Sequence, residues 1–67
     1  MAAQEFTKAI ELDPDYAAAY YNRGFAYGKL GQYQRGIEDF DKAIQLDPDY
    51  AENYYSRGLA HDMLGQR

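Results

Sequence analysis

The chain has no cysteine, no tryptophan, two prolines and a single histidine among its 67 residues. Without cysteine there is no disulfide framework, no thiolate metal ligand and no thiol nucleophile. The lone histidine, His61, has only Asp62 beside it, too little for a metal site. A domain this small buries only about 60% of the surface its unfolded chain exposes, and many such domains add a staple. None is available here, so the fold must rest on element packing, within one copy or between copies. Positive charge is also short: seven Lys and Arg face eleven Asp and Glu, for a net charge of −4. The basic residues are scattered, and a phosphate backbone needs a basic stripe, so nucleic acid is not an expected partner. No apolar run is long enough for a membrane span, and Met1-Ala2-Ala3-Gln4-Glu5 lacks the basic start of a targeting peptide. With cysteine absent as well, a reducing cytoplasmic setting is the expectation.

What is abundant is tyrosine, eight residues beside three phenylalanines. Their spacing belongs to an internal repeat. Residues 13–33 (DPDYAAAYYNRGFAYGKLGQY) and 47–67 (DPDYAENYYSRGLAHDMLGQR) share 13 of 21 positions, and Pro14 and Pro48 set the period at 34. EFTKAIEL at 5–12 repeats as DFDKAIQL at 39–46. A period of this length marks stacked supersecondary units.

Between the punctuation marks the period is helical. Tyr20, Gly24, Tyr27 and Leu30 recur at three and four residues, as do Gly36, Phe40, Ala43 and Ile44, and Ala2, Phe6, Ala9 and Ile10. These stripes are narrow and rich in small residues, which suits close helix contact. Gly31 and Gly65 stand where a helix end favours a left-handed residue. The Asp-Pro-Asp segments stop one helix, and Asp15 and Asp49 are expected to cap the next. The predicted architecture is all-α, with four antiparallel helices at about 2–12, 17–30, 33–46 and 51–64.

These residues resemble the tetratricopeptide repeat, whose pattern is W-x₂-L-G-x₂-Y, then A-x₃-F, then P. Residues 17–50 match as a complete repeat: Tyr20, Gly24 and Tyr27, then Gly36 and Phe40, then Ala43 and Pro48. Residues 1–16 (Ala2, Phe6, Ala9, Pro14) match its second helix. Residues 51–67 (Tyr54, Gly58, His61) match its first. Gly24, Gly58, Ala9 and Ala43 are expected where helices approach most closely, with Tyr20, Tyr27, Tyr54, Phe6 and Phe40 filling the gaps. Three positions depart from the pattern. Arg23 and Arg57 replace the usual aliphatic residue and are expected to pair with an acid on a neighbouring helix. Gly36 stands for the alanine and should weaken its helix by about 0.5–1 kcal/mol. His61 stands for the aromatic and reads as a packed or half-exposed side chain.

The resemblance implies a protein–protein interaction scaffold, with a peptide held in a concave groove lined by the first helix of each repeat. Here that groove would comprise Tyr21, Phe25 and Lys29, then Glu52, Tyr55, Leu59 and Asp62, with Ala18, Gly28 and Met63 beside them. An apolar or aromatic peptide anchor with basic flanks would suit it, although Tyr21 and Tyr55 could equally pack between helices. Some relatives clamp the acidic tail of heat-shock chaperones with Lys, Asn and Arg. Tyr21, Phe25 and Ser56 stand at those positions in one frame. In the other Asn22 matches, but Glu52 and Ser56 stand for Lys and Arg, so the clamp is not expected.

The helices run second, first, second, first, and repeat units require stacked neighbours. Self-association is therefore the alternative expectation, through Phe6 and Ile10 at one end and Tyr54 and Leu64 at the other. It would proceed head to tail, or by helix exchange about Gly31, giving a homo-oligomer with no separate ligand. Catalysis is not expected. Ser56 and His61, five residues apart, make no triad on a helix, and there is no strand to carry a phosphate loop. No cofactor or metal is implied.

Overall fold

The computed structural model describes residues 2–65, with side chains from Ala3 onward, so the expectation for the Ala2 side chain lies outside it. Four α-helices and no strands are found among the described residues: α1 (Ala2–Leu12), α2 (Ala17–Lys29), α3 (Tyr33–Leu46) and α4 (Ala51–Gly65). Helix α2 packs on α1 and α3, α3 packs on α4, and α2 also touches α4. The Cα atoms fill a thin slab of 36 × 28 × 13 Å.

The turn after α2 behaves as a glycine at a helix end should. Gly31 has φ 80. Its N–H donates to Gly28 O at 3.0 Å, and that of Gln32 to Tyr27 O at 2.9 Å. This is the paired 5→2 and 6→1 closure that satisfies orphan carbonyls. Gly65 does otherwise: it lies within α4, and Gly31 is the one glycine of positive φ among the described residues.

Asp15 does not cap α2 as the sequence suggests. Tyr16, not Asp15, holds the N-cap position of α2, and no side chain caps it. The preceding aspartates act instead. Asp13 Oδ1 accepts the N–H of Asp15 at 3.2 Å, and Asp47 Oδ1 that of Asp49 at 3.4 Å. Each short side chain closes a turn on the backbone two residues on, the common alternative to capping. The repeat continues into the next helix: Tyr20 and Tyr54 donate their hydroxyls to the carbonyls of Pro14 and Pro48, both at 3.1 Å.

The core is built around the α2–α3 crossing. Ala19, Ile37, Phe40, Ala43 and Ala60 are buried, with Tyr21, Tyr33 and Leu64 packed against the cluster of Ile37, Phe40 and Ala60. Ile37 was absent from the sequence stripe; it sits beside Gly36 and widens the apolar face of α3. A Cβ on Gly24 would lie 2.9 Å from Phe40 Cε1 and 3.0 Å from the carbonyl oxygen of Gly36, and one on Gly36 would lie 2.9 Å from that of Gly24. Gly36 thus does more than weaken its helix, because the two glycines together let the backbones touch. Gly58, the repeat counterpart of Gly24, has nothing within 4 Å of such a Cβ.

One buried group is poorly served. Asn53 is 1% exposed and its Oδ1 has no hydrogen-bond partner. Its repeat counterpart is Ala19, also buried. An unsatisfied buried amide costs about 1–3 kcal/mol, and alanine is the better helix former. Asn53→Ala is therefore expected to raise stability by about 1 kcal/mol, read as a higher urea midpoint at unchanged slope.

Candidate protein-binding groove

Helices α2 and α4 touch, and side chains from both, with others from α3, line a mostly apolar pocket of about 180 Å³. Phe25, Gly28 and Lys29 line it from α2, and Ser56, Leu59 and Met63 from α4, with Tyr33, Phe40 and Ala60 also contributing. Phe25 and Leu59 remain 49% and 48% exposed, the mark of side chains that cover a rim without being covered. The Lys29 ammonium lies 5.2 Å from the centroid of the Phe25 ring, so one wall carries a cation on an aromatic face.

Tyr21 supports this wall from behind. It is half-buried, with its ring centroid 5.8 Å from Phe40, 5.3 Å from Tyr50 in an edge-to-face contact and 6.4 Å from Phe25. Its hydroxyl shares a 3.4 Å contact with Ser56 Oγ, tying α2 to α4. Partial loss of solvation raises the Tyr50 phenol above its ordinary value, helped by the Glu52 carboxylate and then by Tyr21.

Of the groove residues read from the sequence, Phe25, Gly28, Lys29, Leu59 and Met63 come together around the pocket. Tyr55 is 69% exposed, and Glu52, Asp62 and Ala18 are also exposed, all away from the pocket lining. Ser56 and Ala60 were not singled out for the groove. Their signal was available, since Ser56, Leu59, Ala60 and Met63 follow one another at three- and four-residue spacing. His61 is exposed.

The opposite side of the crossing is polar and paired. Arg23 Nε donates to Asp39 Oδ2 at 2.8 Å and Nη2 to Oδ1 at 2.7 Å, while Nη1 reaches Thr7 Oγ1 at 3.2 Å. One guanidinium thereby joins α1, α2 and α3. The Tyr20 and Tyr27 rings lie 5.8 Å from it. Its hydrogen bonds to Asp39 raise its pKa against the opposing effect of burial, and the charge of Asp39 adds to them. Arg57 reaches Asp41 Oδ1 at 2.7 Å on a more exposed surface. Both arginines thus have the acidic neighbours expected of them.

The tetratricopeptide-repeat family matches residues 17–50, and a second family of the same type, TPR repeat, matches residues 2–31. The chain belongs to the tetratricopeptide-repeat family. Among curated relatives, the human small glutamine-rich tetratricopeptide repeat-containing protein beta is 53% identical over 34 residues, which are 51% of this chain and 11% of that protein. The chain therefore spans a small part of that relative. Tetratricopeptide repeats generally mediate protein–protein interaction, and proteins of this family are typically non-enzymatic scaffolds. Among the described residues no group of three or more His, Cys, Asp or Glu could hold a metal ion, and no helix is long and apolar enough to cross a membrane.

Proposed function

We propose that this tetratricopeptide-repeat chain is a protein-interaction module that takes an apolar or aromatic peptide anchor between α2 and α4. The observation that carries the reading is the apolar pocket with exposed Phe25 and Leu59 on facing walls. Large apolar side chains left half in water, around a concavity, gain most from an incoming anchor. Ser56 and Lys29 supply polar groups that orient the bound segment. Glu52, Tyr55 and Asp62 lie beyond the pocket, where an acidic margin favours basic flanking residues in the ligand.

The reading is tested by selecting binders from a peptide library displayed against the whole chain. Enrichment of apolar or aromatic anchors is expected. Phe25→Ala and Leu59→Ala should each weaken a selected peptide at least tenfold by titration calorimetry, with little change in melting temperature because neither side chain is in the core. Leu12→Ala, at an equally apolar but distant exposed position, should leave binding unchanged. Equal loss in all three variants, or no enrichment of an apolar anchor, contradicts the reading.

A further inference from the structure

Gly28 is a helical glycine that the fold itself does not use. A glycine inside a helix costs stability relative to alanine, so its presence calls for a cause. For Gly24, one turn earlier on α2, the cause is a close contact. A Cβ there would lie 2.9 Å from Phe40 Cε1, so the Phe40 ring rests on bare backbone. A Cβ on Gly28 would meet nothing within 4 Å, and the φ of Gly28 is not positive. The repeat does not require glycine at this position either, since the residue 34 places on is Asp62. Positions that break a local rule with no gain to the fold tend to be shaped by function.

Gly28 lines the pocket between α2 and α4. Its bare backbone offers a patch on which a flat group can lie, as Phe40 lies on Gly24. The neighbouring side chains suit a ring. Phe25, Tyr33 and Phe40 bring aromatic groups to the pocket, and Met63 brings a thioether. Both kinds of neighbour favour an aromatic partner over an aliphatic one of similar area. Size agrees as well. An apolar cavity of about 150 Å³ holds one benzene molecule, and this pocket measures about 180 Å³.

We propose that Gly28 makes the groove selective for an aromatic anchor, the ring of an incoming peptide lying on the α2 backbone at Gly28 with Phe25 and Met63 beside it. This rests on the groove reading above and narrows it from apolar or aromatic anchors to aromatic ones. Gly28 acts through the side chain it lacks, because a Cβ would stand where the ring lies.

The test is titration calorimetry of the full 67-residue chain with a library-selected peptide, remade with phenylalanine and with leucine at its anchor. The wild type should bind the phenylalanine peptide at least tenfold more tightly than the leucine one. Gly28→Ala should melt at a higher temperature than the wild type and yet lose at least tenfold in affinity for the phenylalanine peptide. A glycine of purely structural role would not give that split. Gly58→Ala is equally free of clashes and lies outside the pocket lining. It should melt higher and bind as the wild type does, which separates blocking of the floor from stiffening of a helix. Equal affinity for the two peptides, or full affinity in Gly28→Ala, overturns the inference and leaves the groove reading standing. Failure to select any peptide, or binding that Phe25→Ala leaves unchanged, overturns both.

Discussion

Replacing Gly24 by alanine is expected to destabilise the chain by about 1–3 kcal/mol, the usual cost of overpacking a closed contact. Helix propensity alone argues the opposite, since alanine in a helix interior is better than glycine by about 0.5–1 kcal/mol. Packing decides the sign. The added Cβ would sit 2.9 Å and 3.0 Å from the Phe40 ring and 3.0 Å from the Gly36 carbonyl oxygen. Phe40 is fully buried and the carbonyl is backbone, so neither can swing aside; α2 and α3 must separate. Gly28→Ala, one turn along the same helix with nothing within 4 Å, should instead gain about 0.5–1 kcal/mol. Chemical denaturation of the two variants against the wild type checks both signs. In a domain of this size each kcal/mol moves the melting temperature by about 4–8 °C, so the opposed shifts are well resolved.

Asp39→Ala is the second large effect, expected to cost about 2–4 kcal/mol, somewhat below the figure for breaking a fully buried pair. The Arg23 and Asp39 side chains are 20% and 7% exposed. Removing the carboxylate strips two hydrogen bonds from a guanidinium that stays largely desolvated between Tyr20 and Tyr27, with only Thr7 left as a partner. Asp41→Ala breaks the other arginine pair at almost no cost, about 0–1 kcal/mol, because Asp41 and Arg57 are solvated. The pH dependence follows from the raised pKa of Arg23. A base whose folded pKa is raised contributes stability throughout the range below its ordinary value and loses it only as pH climbs through the raised one. Ionisation of Arg23 should therefore leave stability flat across neutral pH, and the Asp39→Ala deficit should persist at pH 9 when measured by urea titration.

The repeat makes most of the architecture legible in the sequence. Pro14 and Pro48 set the period, and the small-residue stripes through Gly24 and Ala43 placed the helices to within a residue or so. The arginines were legible too, because a guanidinium in place of an aliphatic residue on a packed face needs an acid. Three things were not. Asp13 and Asp15 are chemically alike and two residues apart, and only backbone geometry shows that Asp13 closes the turn while Tyr16 holds the N-cap position. The role of Gly36 depends on how closely α2 approaches, which propensity does not encode. On α4 the expected Leu59 and Met63 line the pocket and exposed Tyr55 does not, while Ser56 does. Tyr55 and Ser56 are neighbours on α4, and the sequence does not show that Ser56 meets the Tyr21 hydroxyl.

The most direct test of the groove is a nuclear magnetic resonance titration of the isotope-labelled chain with a library-selected peptide. The account predicts amide shift changes concentrated at Phe25, Gly28, Lys29, Ser56, Leu59 and Met63, with those around Arg23, Asp39 and Thr7 on the opposite face unmoved. Saturable shifts centred on α1 and the outer face of α3, with the α2–α4 pocket silent, would contradict it.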